Sequence, residues 1–202
     1  MDILELFCSV DDFCQSFESG WKCQLVESSG RKRSRDSALS LSEVMTIIIK
    51  FHQSNFRTFK HYYKNLLHGY RHCFPSLVSY NRFVELMPGA LAPLSAYLMT
   101  RIGSVTGISF IDSTPIAVCK SKRISRNKVF KGIARIGKSS MSWFYGFKLH
   151  IIVNEIGELL NLAITTGNRD DREPVHKMAK NLSGKLFLNT QGTEALLTSW
   201  LT

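Results

Sequence analysis

The pattern of apolar residues changes near residue 104, and this change limits the folds that the 202-residue chain can adopt. Residues 1–103 show helical spacing with polar breaks, whereas residues 108–166 contain short runs rich in β-branched and aromatic residues. A further helix is predicted within 171–184, and another apolar run begins at Lys185. The sequence therefore predicts an α+β protein whose first half is helical.

Two features organise the beginning of the helical half. Residues 1–26 predict a short helix, with Asp11 or Asp12 capping a second turn. Ser40 and Glu43 have the spacing of a capping box, directly ahead of an apolar helical run. The basic stretch between these helices is predicted to be a loop.

More helices are predicted around residues 56–67, 77–88 and 89–103. Together with the helix after Ser40 they fit a helix-turn-helix DNA reader, and they fit equally well a packed bundle with no role in DNA binding. The loop sequence "RKRSR", residues 31–35, is either solvated or a phosphate contact.

Residues 142–167 predict a β-hairpin that turns at Gly157. Its first strand alternates apolar residues with Lys148 and His150, which predicts one apolar face. The residues assigned to that face are Phe147, Leu149, Ile151 and Val153.

A single carboxylate, Asp112, ends a short apolar run, and nine lysines and arginines follow before the next acid. An acid at the end of a buried strand suits a metal ion beside phosphate, because the metal neutralises the acid and the cations hold the phosphates. The alternative is that Asp112 caps a turn through local hydrogen bonds with Ser113 and Thr114. A nucleophilic role for Ser113 is not favoured, since no GxSxG motif surrounds it.

The basic segment, residues 120–140, is the first candidate for contacting a phosphate backbone, and a solvated loop is the alternative. A second polar stretch, 167–173, lies between a predicted strand and a predicted helix. Its Asn168, Asp170 and Asp171 either cap that helix or support a metal site. The candidate DNA-binding residues are Lys120, Lys122, Arg123, Arg126, Lys128, Lys131, Arg135, Lys138 and Lys148.

Composition narrows the class of partner. The formal net charge of +10 and a pI near 9.5 favour a polyanion, with nucleic acid first, over a basic protein without such a partner. The five cysteines have neither zinc-site nor disulfide spacing, which indicates reduced thiols in the cytoplasm. The sequence predicts no signal peptide and no membrane span.

Residues 107–187 resemble the DDE-class transposases of bacterial insertion sequences, and most closely insertion-sequence family 982. The resemblance covers "IDSTPI", "KVFKGIA", "GKSSMSWFYGFKLH" and "TGNRDDR", in this order. It implies an RNase H-like catalytic domain, transposon-end DNA as the partner, and Mg²⁺ ions held by an Asp-Asp-Glu set. Asp112 would be the first catalytic carboxylate and metal ligand, and assembly into a homo-oligomer is compatible with the resemblance.

The resemblance fails where the second catalytic Asp is expected. Asn189 stands there, no later helix carries the Glu, and Glu194 does not fit that role. We therefore expect a chain truncated or frameshifted after about residue 187, in which loss of the closing helices exposes part of the sheet. The predicted regions are a helical 1–103 that is a candidate for DNA binding, an incomplete RNase H-like 104–187, and an aberrant tail 188–202.

Three functions follow from this expectation. The first is a transposase that lacks DNA cleavage and strand-transfer activity in this form. The second is a DNA-binding fragment that interferes with a full-length transposase, and the third is a non-functional remnant.

Overall fold

The computed structural model describes two compact units, Met1–Thr100 and Arg101–Thr202. The predicted loop "RKRSR" lies outside the described residues. These are residues 2–29, 37–139, 142–190 and 193–196, with only the backbone described for 18–29, 188–190 and 193–196.

The first unit is helical. Its first helix is continuous, so the prediction of a short helix with a cap at Asp11 or Asp12 was wrong. Buried Leu6 and Val10 recur at helical spacing, and no glycine or proline precedes Gly20 to end the helix early. The elements are α1 (Ile3–Ser29), α2 (Leu41–His52), α3 (Phe59–Gly69), α4 (Tyr80–Leu86), a 3₁₀ turn (Met87–Ala90) and α5 (Leu91–Met99).

The capping box at the start of α2 is confirmed. The backbone N–H of Glu43 donates to the Ser40 hydroxyl (3.1 Å), and the Ser40 N–H donates to the Glu43 carboxylate (2.7 Å). In the core of this unit, burial raises the pKa of Tyr63 to about 12, and its hydroxyl donates to the Val78 carbonyl (2.8 Å). None of the described helices has the length and apolar character needed to cross a membrane.

The second unit is a mixed sheet with one short helix, which completes the predicted α+β class. The described strands run in the order β2-β3-β1-β5-β6, and β4 pairs with β3 beyond the end of β2. Among the described strands, only the β1–β5 pair is parallel. The elements are β1 (Ile108–Cys119), a 3₁₀ helix (Ser121–Arg126), β2 (Arg135–Lys138), β3 (Trp143–Asn154), β4 (Leu159–Thr166), α6 (Val175–Ala179), β5 (Lys185–Thr190) and β6 (Thr193–Leu196).

The predicted hairpin is confirmed in β3 and β4, with Gly157 in its turn at φ +89°. Its first strand alternates as predicted, and the face that carries Lys148 and His150 is the buried one. This face is covered around α6 by a core of Ile111, Ile152, Leu160, Val175, Met178 and Leu186.

The opposite face of the sheet, named here the open face, is apolar and partly exposed. It carries the residues of β3 predicted to form one apolar face, and these are only half-buried. Ile108, Phe110 and Ile116 of β1 and Ile164 of β4 are exposed by 38–61%. Helix α6 packs on the other face, so alternation alone did not decide which side of β3 would be covered.

Strand β1 is longer than expected, and Asp112 lies inside it rather than at its end. The residues after Asp112 continue the antiparallel pairing with β3 as far as Cys119. On the other side, β1 pairs with β5 only from Ile108 to Ile111. Pro115 is tolerated because this edge has no further partner among the described strands. Strands β5 and β6 both extend into 188–202, the region set apart above as a tail.

Candidate functional site

Asp112 lies on the open face at the point where the parallel pairing with β5 stops. It is exposed, and its Oδ1 accepts a hydrogen bond from the backbone N–H of Ser113 (2.8 Å). The contact resembles the local bonding considered above, but it occurs within a strand and not in a turn. The carboxylate therefore borders a strand edge to which no described strand is paired beyond Ile111.

The basic segment follows β1 and presents its cations to solvent. Its first part forms the 3₁₀ helix Ser121–Arg126, and its last part forms β2. The eight candidate cations from Lys120 to Lys138 are all exposed, and none of them forms an ion pair within the described part of the chain. The basic segment, which follows the strand of Asp112, therefore carries a high density of positive charge that no described carboxylate neutralises.

Lys148, the ninth candidate, is placed differently. Its side chain is only 11% exposed, and its ammonium contacts Asp171 Oδ1 (2.8 Å) and donates to the Arg169 carbonyl (2.9 Å). These contacts join the middle of β3 to the turn that follows β4. Lys148 therefore orders the sheet, and its proposed contact with DNA stays a prediction.

His150 lies on the same buried face as Lys148 and is fully buried. Its Nε2 shares a hydrogen bond with the Thr165 hydroxyl (2.9 Å), while its Nδ1 has no partner among the described residues. Burial lowers the pKa of His150, and Lys148 lowers it further, whereas Asp171 acts in the opposite direction. The imidazole is therefore neutral at pH 7, which suits a structural member of a polar cluster.

The three residues predicted to support the site belong to the turns after β4. Asn168 accepts a hydrogen bond from the Thr166 hydroxyl (2.8 Å), and Asp170 accepts one from the backbone N–H of Arg172 (2.8 Å). Asp171 is held by Lys148. None of the three caps α6, because its N-cap is Pro174 and no side chain bonds to the first turn, so the capping prediction was wrong. Asp170 instead closes a local turn ahead of the helix. Support of a metal site by these residues stays a prediction.

The register of the sheet separates these candidates. Asp112 pairs with Ile151 and shares its face, whereas Lys148 projects from the other face. The buried cluster of Lys148, His150 and Thr165 was not foreseen. The polar alternation in "KLH" is its only signal in the sequence, and alternation does not show which face of the strand is buried.

Comparison with known proteins assigns the second unit to a class. Residues 102–201 match the family model described as "Transposase DDE domain". The match supports a DDE-type transposase domain in this unit, which implies an RNase H-like fold, and it supports a transposase function. The match includes most of the region 188–202. No curated protein and no solved structure gives a significant match.

Transposases of this type act on DNA and generally use divalent metal ions. In the part of the chain that the structure describes, no group of three or more His, Cys, Asp or Glu side chains could hold a metal ion. Asp112 alone cannot bind two metal ions, because each needs several oxygen ligands. The described residues therefore do not fit the metal site that the family implies.

Proposed function

We propose that this chain is a transposase related to insertion-sequence family 982 that binds DNA but does not cut it. One observation carries the proposal: Asp112 is an isolated carboxylate among the described residues, and the basic segment that follows its strand has exposed cations. Binding to phosphates needs only the cations, whereas phosphodiester cleavage by this class needs the full carboxylate set.

DNA binding is assigned to the eight cations from Lys120 to Lys138. They are exposed, and no carboxylate among the described residues is paired with them, so they are available to bind the phosphates of DNA. Their number is comparable with that of proteins whose DNA affinity is dominated by release of counterions. Lys148 is assigned a structural role instead, because its ammonium is already engaged.

Catalytic inactivity is assigned to the missing carboxylates. Asn189 follows Leu188, whose Cα pairs with that of Ile111, so it stands at the register position beside Asp112. An amide at this position adds no negative charge to attract Mg²⁺. We derive no metal-dependent step for this chain, and we propose that it competes with an intact transposase for the same DNA ends.

The first test concerns the basic segment. Replacing Lys122, Arg123 and Arg126 together with alanine is expected to reduce the steepness of log affinity against log salt for duplex DNA by about 2 to 3. Each lost phosphate contact removes close to one released counterion. Fluorescence anisotropy of a labelled duplex, measured over a series of salt concentrations, gives this slope.

A matched variant of the helical unit provides the control. Arg57, Lys60 and Lys64 are also three exposed cations, and they lie in or beside α3. Their replacement with alanine is expected to leave the slope within about one of the wild-type value. If only the α3 variant reduced the slope, DNA binding would belong to the helices and the proposal would be contradicted.

The second test concerns cleavage. The purified chain is expected to leave supercoiled plasmid carrying an insertion-sequence end intact in the presence of Mg²⁺ or Mn²⁺, because one carboxylate does not assemble a two-metal site. Gel electrophoresis of the plasmid measures nicking. Metal-dependent nicking that disappears in Asp112→Ala and persists in Asp170→Ala would show that the chain is active.

A further inference from the structure

The hairpin formed by β2 and β3 carries an exposed tryptophan beside a lysine. Trp143, the first residue of β3, is 65% exposed, and its direct partner in the antiparallel ladder is Lys138. Residues opposite each other in such a pair point to the same face, with their Cβ atoms about 5 Å apart. The indole and the ammonium therefore belong to one surface.

A second set of contacts extends this surface. The Tyr145 hydroxyl donates to the Phe130 carbonyl (3.2 Å), and the Phe130 ring meets the Phe147 ring edge to face at 5.7 Å. These contacts hold the turn around Phe130 next to the residues of β3 that follow Trp143 on the same face. The exposed Lys128 and Lys131 flank this turn.

We propose that this hairpin surface, composed of Trp143, Lys138, Lys128 and Lys131, binds single-stranded DNA by stacking one unpaired base on the Trp143 indole. The inference rests on the DNA binding proposed above and specifies the form of DNA. An isolated exposed apolar side chain is ordinary on protein surfaces. An exposed indole beside one free lysine, with two more free cations on the turn held against the same strand, has the composition of a stacking platform for unpaired nucleotides.

Unpaired DNA fits this surface better than duplex DNA. In a duplex, both faces of each base are already stacked, so an indole gains little by contact. An unpaired base offers its π face regardless of sequence, and the lysines bind the adjoining phosphates. Trp143 lies eight residues along β3 from Ile151, the partner of Asp112, which is roughly 26 Å. The hairpin surface is therefore distinct from the carboxylate site.

Tryptophan fluorescence tests the proposal directly, because the chain has only two other tryptophans, Trp21 and Trp200. In a chain with both replaced by phenylalanine, Trp143 is the single reporter. A single-stranded oligonucleotide of about 12 residues is expected to quench its emission, whereas a duplex of equal length is not. Circular dichroism first verifies that the reporter chain folds like the wild type.

Substitution in the wild-type background gives an independent measurement. Trp143→Ala is expected to weaken binding of the labelled single strand about five- to hundredfold, and to change duplex affinity less than about twofold. Trp143→Phe, which keeps an aromatic ring, retains most of the affinity. Ile164→Ala is the control, since Ile164 is 61% exposed on the same face but belongs to β4.

The outcomes separate this inference from the proposed function. If the single strand binds by anisotropy but neither quenches Trp143 nor depends on it, the stacking role is wrong and DNA binding stands. Equal losses for single strand and duplex in Trp143→Ala would overturn the preference for an unpaired base. If neither form of DNA binds at low salt, the proposed function fails and this inference fails with it.

Discussion

Replacing Gly146 with alanine is expected to destabilise the sheet unit by about 3 kcal/mol or more. A Cβ at this position would overlap the carbonyl oxygen of Ile116 and lie 3.0 Å from its carbonyl carbon and 3.1 Å from the Val118 nitrogen. These are backbone atoms, so no side-chain rotation can relieve the clash. The irregularity between Ala117 and Cys119 lies directly opposite Gly146 and brings β1 close to β3 there.

Urea denaturation followed by circular dichroism measures the loss in stability. Hydrogen–deuterium exchange of peptides from β1 and β3 then localises it to the sheet. Gly89→Ala is the control, because nothing lies within 4 Å of a Cβ built there, and its stability is expected to stay within about 1 kcal/mol of the wild type. A Gly146→Ala chain as stable as this control would show that β1 and β3 are not held at this spacing.

The second large effect is expected at Lys148, in stability and not in DNA affinity. Lys148→Ala removes the ion pair with Asp171, the hydrogen bond to the Arg169 carbonyl and the packing of the buried stem. We expect the free energy of unfolding to fall by about 2 to 3 kcal/mol. The loss is smaller than for a fully buried ion pair, because Asp171 is half exposed and regains water when its partner is removed.

Lys148→Met separates packing from charge. Methionine keeps most of the stem and avoids burying an ammonium, so a smaller loss, about 1 kcal/mol, is expected. Both variants are expected to bind duplex DNA within about twofold of the wild type, since the free cations of the basic segment are unchanged. If Lys148→Met weakened DNA binding more than tenfold without loss of stability, Lys148 would be a DNA contact, as the sequence suggested.

Local signals predicted much of the fold. The capping box at Ser40 and the turn at Gly157 were both identified from short-range chemistry, and both are present. The signals failed where distant segments decide the outcome. The extent of α1 and the continuation of β1 past Asp112 depend on packing and on pairing with β3, which no local window contains.

The candidate site was predicted in part. The sequence singled out Asp112 and the cations from Lys120 to Lys138, because an isolated acid within a basic stretch is visible without a structure. It treated Lys148 as equivalent to those cations, since spacing alone does not reveal a partner such as Asp171. It also gave no reason to single out Trp143, because its exposure and its pairing with Lys138 become visible only in the β2–β3 hairpin of the structure.

The sequence by itself determined that a helical half precedes a strand, a β-hairpin, a helix and a further strand. It also determined the basic character and the class of the second unit, because these depend on local propensity, composition and motif. Only the tertiary structure decided which face of β3 is buried, which lysine is engaged and which are free. Alternation along a strand defines two faces equally well, and the packing of α6 on one of them makes the choice.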